Sequence, residues 1–527
     1  MKKLLALLCV ATMILSLSAC GGEPQTDLQE PNTESSQPGE QKEDGEKTAS
    51  AKDKDTLVFI SHMTSETLDP LTTASSSGVD KNAMHQIFDC LLQFDNEGTP
   101  IPCLAESWED ADDGRAVIFH LRKDVKFHDG TPFNADAVVY TFNKQFENPL
   151  TSYITTYYTA CEKVDDYSVK ITKATPHVAL LSMMAEGPFI VSPTAYEKGA
   201  EQFAKNPIGT GAYKFESQGT DQYVHLTANE EYFDGAPYYK KVIIRTPVDS
   251  STAVVALQNG EADIAINLTP NQLALVKEDP NLVAEVNTGW AIKYLNFYAE
   301  PLKSDENLRK AIYYAINREN AAMFNNEPET IASTTLYPTR VMGDYVSLQT
   351  VDGYNVEKAK EYLAQSNYDG ETLKLYISAN EASIAQSVQA DLQMIGINVE
   401  IVQLDTNAYY AKFTDGTCQM VILDFGTDQL STEDMLNFYS TSGYYGQCVY
   451  TTPEYDALME KINAEYNAEA RKELVKEALE MQYGFYNMVP MYESYFNFIH
   501  RAELTGFNPV SGANYVYYLG KVKPADA

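Results

Sequence analysis

The sequence predicts an α/β fold in which strands and helices form alternating layers. Strand and helix candidates interleave throughout the chain, which favours α/β layers over a sandwich or a helical bundle. The pattern is plainest where a strand candidate at 373–378 leads into a helix candidate at 381–395, whose apolar residues recur at helical spacing. Gly396 ends that helix, and strand candidates follow at 398–403 and 419–425. This β-α-β unit places the end of its last strand, LDFGTDQ, where open α/β sheets bind small molecules.

The other elements follow from the same periodicities and from turn and capping residues. Residues 128–132, HDGTP, predict a turn, and Asn134 can cap the helix that follows. We expect His120 and His128 to pack or to cap rather than to bind a ligand. The other strand candidates are 56–60, 116–122, 238–245 and 291–298, and the other helix candidates are 82–92, 305–317, 356–365 and 453–483.

The first twenty residues have the features of a secretory signal. Two lysines precede an apolar run from Leu4 to Leu17, and small residues follow it. A transmembrane anchor is the alternative, but the run is short for a span of ~20 residues. Residues 17–22, LSACGG, resemble the bacterial lipoprotein box, which implies cleavage before Cys20 and attachment of a diacylglycerol to its thiol. Because two acyl chains suffice for stable anchoring, we expect a lipid-anchored protein on the outer side of the cell membrane, at the cell surface or in the periplasm.

A polar segment separates this signal from the globular part. We expect residues 1–19 to be the signal peptide and residues 20–55 to be the lipidated cysteine with a disordered acidic tether. The tether is almost devoid of apolar residues and cannot bury enough surface to offset the entropy of ordering. The remaining roughly 470 residues are enough for two or three subdomains.

The net charge excludes some partners. The chain has 74 acidic and 39 basic residues, a formal net charge of −35. Nucleic-acid phosphates and anionic lipid would repel such a surface, so we expect no nucleic-acid partner and membrane association through the lipid anchor only. The charge would attract cationic solutes, but solubility explains it equally well.

Cysteines and histidines indicate neither a disulfide framework nor a metal site. Once Cys9 leaves with the signal and Cys20 carries lipid, five scattered cysteines remain. Most of them are expected to be small buried hydrophobes. The seven histidines occur without HExxH, and C-x-x-C is absent. We therefore expect no metal and no cofactor. The five cysteines are Cys90, Cys103, Cys161, Cys418 and Cys448.

The stretch 423–434, LDFGTDQLSTED, has two catalytic interpretations. Asp424-Phe425-Gly426 matches the metal-binding DFG of a protein kinase, but the Gly-rich loop, the strand lysine and the His-Arg-Asp loop of a kinase are missing. A pair of hydrolytic carboxylates is the second interpretation, but with 74 acidic residues such proximity carries little information. No G-x-S-x-G motif is present either. An enzyme is therefore not predicted, and a secreted hydrolase remains an outside alternative.

Several stretches occur in the order typical of a known family. The most specific is 119–138, FHLRKDVKFHDGTPFNADAV. Together they resemble the bacterial extracellular solute-binding proteins of family 5, the peptide/nickel-type receptors of ABC importers, over essentially the whole chain after the tether. The other stretches are LDP at 68–70, QIFDCLL at 86–92, PCLAESW at 102–108, PIGTGAY at 207–213, ALQNGEADI at 256–264 and LRKAI at 308–312.

The resemblance implies a two-lobed periplasmic-binding-protein-like fold (type II, large cluster) that closes on a ligand between its lobes. It implies a monomer that binds a solute outside the membrane, delivers it to the permease subunits of an ABC transporter and performs no bond chemistry. Lobe I is expected at 56–94, 205–286 and 490–527, with an extra subdomain inserted at 95–204. Lobe II is expected at 287–489.

The resemblance also implies a ligand contact at the end of the strand at 419–425. Peptide-binding members have a W-x-x-D pattern there, whose Asp pairs with the α-ammonium of the peptide. Phe425, Gly426, Thr427 and Asp428 occupy that place, so Asp428 matches the Asp and Phe425 replaces the Trp. The Asp-Pro that often follows is Ser-Thr here, which puts the preferred peptide in doubt. A role for Asp428 in capping the following turn is the alternative.

Aromatic residues supply the other ligand-binding candidates, and they leave the ligand open. Trp290 and Tyr294 lie on a strand candidate that continues through Asn296, and Tyr492 and Tyr495 lie where the chain returns to lobe I. A core role for Trp290 is equally compatible with the sequence. Short peptides are favoured by Asp428, whereas oligosaccharides are favoured by the aromatic residues. Nickel chelates and haem are less favoured because no histidine cluster is apparent.

Overall fold

A single eleven-stranded sheet runs through the part of the chain that the structure describes. The computed structural model describes residues 54–61, 67–71, 81–148, 157–175, 180–219, 222–245, 249–324, 330–348, 353–405, 408–409, 412, 417–426, 431–443, 449–507, 509 and 516–527. The strands are β1 Thr56–Ile60, β2 Leu92–Phe94, β3 Pro100–Pro102, β4 Ala105–Ala111, β5 Ala116–Leu121, β6 Tyr158–Asp165, β7 Ser168–Lys173, β8 Tyr213–Gly219, β9 Tyr223–Ala228, β10 Lys241–Arg245, β11 Ile264–Ile266, β12 Leu282–Phe297, β13 Ile331–Ala332, β14 Leu373–Ile377, β15 Val399–Gln403, β16 Met420–Gly426, β17 Met488–Arg501, β18 Leu504–Thr505 and β19 Lys523–Pro524.

Helices flank the strands along the chain. Asn134 caps one of them as predicted, since its side chain accepts hydrogen bonds from the backbone N–H groups of Asp136 and Ala137. The helices are α1 Lys81–Ile87, α2 Ala135–Glu147, α3 Leu180–Glu186, α4 Pro193–Tyr196, α5 Ala200–Lys205, α6 Ser250–Gln258, α7 Pro270–Lys277, α8 Glu306–Ala315, α9 Arg318–Met323, α10 Thr339–Met342, α11 Val356–Leu363, α12 Ala382–Met394, α13 Thr432–Asn437, α14 Pro453–Ala464 and α15 Ala468–Phe485.

The predicted elements are present, and the α/β class is confirmed, but several boundaries were wrong. The strand expected at 238–245 begins only at Lys241. The helix expected at 453–483 is two helices, because Asn467 accepts a hydrogen bond from Ala470 N–H and starts α15 as a new cap. The helix expected at 82–92 ends at Ile87, and Leu92 already belongs to β2. Strand β12 begins at Leu282, before the predicted residue 291, because its amino-terminal half pairs with β17.

Two long strands connect the two ends of the large sheet. The strand order is β15-β14-β16-β12-β17-β11-β1-β10-β9-β8, with β13 on the edge of β17. β12 has 16 residues and β17 has 14, and the two pair antiparallel from Leu282↔Arg501 to Asn296↔Met488. A 16-residue strand spans roughly 50 Å, so each strand serves both ends. The ladder shifts register between Asn287 and Ala291, opposite Phe496 and Ser494.

Separate apolar cores lie on the two faces at each end of this sheet. At the end with β1, one core contains Phe59 with α1, and another contains Val58 with α6 and α7. At the end with β14 to β16, one core contains Tyr294 with α14 and α15, and another contains Leu295 with α8 and α12. A fifth core belongs to the four-stranded sheet β4-β5-β7-β6 and helix α2. The predicted domain boundaries stay predictions.

The HDGTP turn and the GTGAY stretch pack against each other. His128 N–H donates to Gly209 O at 2.8 Å, and the His128 ring Nε2–H donates to Gly211 O at 2.9 Å. A Cβ on Gly211 would lie 2.5 Å from Gln86 O and 2.6 Å from Ile87 C, so only glycine permits this approach. These motifs therefore specify packing, as expected for His128. His120 likewise contacts Ser168, at 3.3 Å between Nδ1 and Oγ.

Burial keeps His128 neutral. It lowers the pKa of His128 from 6.5 to about 4, and the hydrogen bond to Gly211 O opposes the shift only partly. Nδ1 has no hydrogen-bond partner among the described residues, so a proton added there would be buried without an acceptor. The charged form is thus excluded by packing.

The described cysteines are buried. Cys90, Cys103, Cys161 and Cys418 lie inside the protein, which confirms their predicted place in the core. Cys448 and Cys20 lie outside the described residues. Of the helices in the described ranges, none has the length and apolarity that crossing a membrane requires.

We expect Gly211→Ala to lower the free energy of unfolding by about 1–3 kcal/mol, because the added Cβ would press on the backbone at residues 86 and 87. Gly484→Ala, in α15, is the matched control. A Cβ there meets nothing within 4 Å, so helix propensity should make this change stabilising by about 0.5–1 kcal/mol. Urea unfolding followed by circular dichroism measures both, and equal effects would contradict the packing argument.

We expect His128→Gln to change how stability depends on pH. The wild-type unfolded state binds a proton below pH 6.5, whereas folded His128 does so only near pH 4. The wild type should therefore lose about 2 kcal/mol relative to the variant between pH 7 and pH 5. Burial raises the pKa values of Asp89 and Asp391 to about 6, so these two groups make the folded state more stable as the pH falls. Both residues are present in the wild type and in the variant, so their contributions cancel in the difference. If the unfolding free energies of the two proteins change equally with pH, the pKa of His128 is not lowered by folding and the prediction is wrong.

Candidate functional site

The ends of three parallel strands define the candidate site. β14 pairs parallel with both β15 and β16, so the carboxyl ends of the three strands meet at one edge of the sheet. These ends are Ile377, Gln403 and Gly426. Ligands of open α/β sheets bind beyond such an edge. The structure thus confirms that LDFG lies at a strand end.

Register across β16, β12 and β17 places two rows of side chains on one face of the sheet. Asp424, Lys293 and Tyr492 are direct partners in the first row. Gly426, Ala291 and Ser494 are partners in the second row, two residues further along each strand. Because side chains alternate between faces along a strand, both rows point the same way. Ile292 and Glu493, which are partners in the intervening row, point to the opposite face.

Lys293 is a buried ammonium between two carboxylates. Its side chain is 4% exposed, and its Nζ contacts Asp424 Oδ1 and lies 3.5 Å from Glu381 Oε1. Glu381 is itself buried and accepts a hydrogen bond from the backbone N–H of Ser378 at 3.0 Å. Asp424 differs, since 45% of its side chain is exposed. The cluster ties β12 to the ends of β14 and β16 and brings two negative charges to one positive charge.

A second buried acid lies on the opposite face. Glu493 Oε1 accepts a hydrogen bond from Thr339 N–H at 2.6 Å, and its Oε2 accepts one from Thr339 Oγ1 at 3.4 Å. Burial raises the pKa of Glu493, and the two hydrogen bonds oppose that shift. Because Thr339 starts α10, this carboxylate fastens the helix to β17.

Four of the predicted ligand-binding residues are described with their side chains, and three of them are buried. Tyr294 is completely buried and its hydroxyl donates to Leu336 O at 2.8 Å. Asn296 is also buried, with Oδ1 accepting a hydrogen bond from Tyr439 at 3.3 Å. Tyr492 packs in the core that contains α8 and α12. Tyr495 is partly buried, which raises its pKa. Each ligand contact stays a prediction.

The other predicted site residues are described only in part. Trp290 lies on β12 and Phe425 and Gly426 on β16, and their side chains are outside the described residues. Thr427, Asp428 and the lipidation site Cys20 lie outside the described residues altogether. Their predicted roles stay predictions.

The remaining acids of LDFGTDQLSTED have structural partners. Asp434 forms a capping box with Ser431 at the start of α13, since each side chain accepts from the other residue's backbone N–H. Glu433 pairs with Arg471, with 3.3 Å between Oε1 and Nε. Both acids therefore form contacts that hold α13 in place.

Sequence reasoning missed Lys293, Glu381 and Ser494. One signal was available for Lys293, which is the charged residue in the largely apolar strand candidate at 291–298. Such a residue must be paired when the strand is buried. Within the described ranges, no three His, Cys, Asp or Glu side chains converge in a way that could hold a metal ion.

Cavities elsewhere do not coincide with this edge. One of about 490 Å³ lies beside β4, β5 and α3 and is lined by Trp108, Glu109, Asp110, Lys173 and Leu180 among others. Another of about 430 Å³ lies between the ends of α6, β12 and β17 and is lined mainly by polar atoms. Neither contains a residue of the two rows.

The family assignment comes from comparison with known proteins. The family model described as bacterial extracellular solute-binding proteins, family 5 Middle, matches residues 99–447. The chain belongs to this family. The two-lobed periplasmic-binding-protein fold expected from the resemblance is thereby confirmed.

Relatives in the family differ in what they bind. The chain is 25% identical to heme-binding protein A of Haemophilus influenzae, over 97% of this chain and 95% of the relative. It is 26% identical to the dipeptide-binding protein of Escherichia coli K12, over 73% of this chain and 78% of the relative. These relatives are solute-binding proteins rather than enzymes.

Solved structures share the fold. NikA from Brucella suis in complex with Fe(III)-EDTA has a TM-score of 0.78 at 22% identity, covering 89% of this chain and 99% of that one. DppA from Helicobacter pylori in complex with the peptide STSA has a TM-score of 0.73 at 23% identity, covering 89% and 98%. At such identities the likeness establishes the architecture alone.

We expect Lys293→Met to lower the free energy of unfolding by about 3 kcal/mol, because it leaves the buried Glu381 carboxylate without its ammonium. Lys360→Met is the matched control, since Lys360 and its partner Glu357 are both exposed, and it should change stability by less than about 0.5 kcal/mol. Chemical denaturation of both variants measures the difference. Similar small losses would mean that the Lys293 cluster does not support the fold.

Proposed function

We propose that the protein is the exported, lipid-anchored receptor of an ABC importer, and that it captures short peptides between its lobes for delivery to a membrane permease. Family membership supports the solute-binding role. The lipoprotein-like LSACGG sequence ending a secretory signal supports export and anchoring at Cys20. Peptide-binding relatives support the ligand class, since dipeptide-binding and di/tripeptide-binding proteins align with most of the chain.

The position of Asp428 carries the peptide proposal. β16 ends at Gly426 on the carboxyl edge of the parallel strands, and Asp428 follows two residues later in the chain. In the resemblance, this is the Asp that pairs with a peptide's α-ammonium. A carboxylate held near a strand end forms a charge-assisted hydrogen bond with an ammonium and discriminates against ligands that lack one.

The net charge of the protein does not separate the two ligand classes. With a formal net charge of −35, its field attracts the α-ammonium of a short peptide and repels the α-carboxylate. The field therefore favours a zwitterionic peptide no more than it favours oligosaccharides, which are neutral. They remain the alternative ligand, resting on the aromatic residues of the sequence.

We expect alanine di- to tetrapeptides to stabilise the tether-free protein, since ligand at 100 times Kd adds ~2.7 kcal/mol to the free energy of unfolding. Asp428→Asn should weaken peptide binding by about 1–3 kcal/mol, because the ammonium loses its charged partner. Thermal unfolding and titration calorimetry measure the two effects. The matched control is Glu400→Gln, which removes an exposed acid from β15 in the same sheet and should bind peptides as the parent does.

Removing the α-ammonium of the peptide tests the same contact. N-acetylated peptides should bind the wild type as weakly as free peptides bind Asp428→Asn. Peptides that bind Asp428→Asn as tightly as the parent would refute the ammonium contact. Stabilisation by cello- or xylo-oligosaccharides with none by peptides would replace the peptide proposal by the sugar alternative. Turnover of a peptide or glycoside by the purified protein would contradict a pure binding role.

A further inference from the structure

We call the second row, Gly426, Ala291 and Ser494, the shelf; the first row, with its charged side chains, borders it. Gly426, Ala291 and Ser494 have small side chains or none, so nothing bulky rises from the second row. Asp424, Lys293 and Tyr492 border this shelf in the first row. The shelf is covered at Ala291 and Ser494, which are 0% and 7% exposed, and open at Asp424, which is 45% exposed.

We propose that Asp424, positioned by Lys293, forms with Ser494 a second ligand subsite, which binds the cationic side chain of a lysine- or arginine-containing peptide. The subsite rests on the proposed peptide-binding function and names its substrate class: peptides with a positive charge in addition to the α-ammonium. It consists of residues that the structure describes and does not include Asp428.

Ser494 gives one independent sign of a ligand. Its Oγ is buried and has no hydrogen-bond partner among the described residues. Burying a hydroxyl without a partner is unfavourable, and such groups are rare in folded proteins. Ser494 lies on the same face as Lys293, opposite Ala291 and two residues from Tyr492 in the chain. A polar ligand group lying on the shelf would supply the partner that the fold does not.

The charges around Lys293 give the second sign. Lys293 supplies one positive charge to two carboxylates, so the three groups together keep a net charge of −1. Only Oδ1 of Asp424 contacts Lys293, and Oδ2 accepts no hydrogen bond from a described residue. A carboxylate accepts from several donors at once, so Oδ2 is available to an ammonium or guanidinium. Lys293 meanwhile holds the carboxylate in place, which lowers the ordering cost of binding.

The spacing of the strands fits one extended ligand. Ser494 on β17 and Asp424 on β16 are separated by β12, so their backbones lie roughly 10 Å apart. A peptide across the shelf can therefore meet Ser494 with a main-chain amide and reach Asp424 with a long side chain. Lysine and arginine have both the length and the charge, whereas norleucine matches lysine in length without the charge.

Titration calorimetry with matched peptides tests this subsite. The peptides are trialanine with lysine or norleucine at each of the three positions, all with a free α-ammonium. In the wild type, lysine at one position should bind about tenfold or more tighter than norleucine. Asp424→Asn should reduce that ratio to about twofold or less, Asp424→Glu should restore part of it, and Glu400→Gln should leave it unchanged. Thermal unfolding checks that each variant is folded.

Ser494→Ala separates a ligand contact from a structural role. Removing a buried hydroxyl that has no partner should raise the melting temperature of the free protein. The same change should weaken binding of the lysine and norleucine peptides alike, by about three- to tenfold. A purely structural serine would not move the two measurements in opposite directions.

The outcomes distinguish this subsite from the peptide-binding proposal. Equal affinity for lysine and norleucine at all three positions overturns the subsite and leaves peptide binding intact. A lysine preference that survives in a folded Asp424→Asn protein assigns the charge contact to another acid and also overturns it. A wild-type protein that binds none of the peptides overturns the proposed function and this subsite with it.

Discussion

The pairing of β12 with β17 is the constraint on which the rest of the structure depends. The two strands lie in the interior of the large sheet, where β16 pairs with β12 and β11 pairs with β17. Their ladder therefore fixes how the sheet continues from β1 to β14. It also sets which residues share a face at the candidate site. Helices on both faces then bury the apolar side chains that this ladder aligns.

The fold was largely predictable from the sequence, because its signals are local. Periodicity placed the strands and helices of the β-α-β unit within about two residues of their true bounds. The capping residue Asn134 correctly marked the start of the helix that follows it. The break between the two helices at 453–485 was missed, because Asn467 is a single polar residue inside an otherwise helical pattern. The length of β12 was missed because a strand extended by a partner 200 residues away has no local signal.

The candidate site was predictable only in its position. The end of β16 follows from the order of elements, but the residues that share its face follow from register. Shifting a strand by one residue would exchange the row of Lys293 for the row of Ile292, and nothing in the sequence states the register. The aromatic candidates show that side-chain chemistry alone does not predict whether a residue faces the site or the core. Tyr294 and Tyr492 were chosen for their chemistry, and burial places both rings within apolar cores.

The register shift in the β12–β17 ladder has a mechanical consequence. From Asn287 to Ala291 the chain advances four residues, while its partner advances only two, from Phe496 to Ser494. Residues 288–290 therefore have no direct partners in that ladder, and one of them is Gly289, whose backbone dihedrals are the least restricted. Bending here should therefore disturb fewer ladder hydrogen bonds than bending where β12 and β17 pair residue by residue. The sheet is thus expected to be most compliant where β12 passes from one group of cores to the other, so a change in the angle between these groups would cost least at this point.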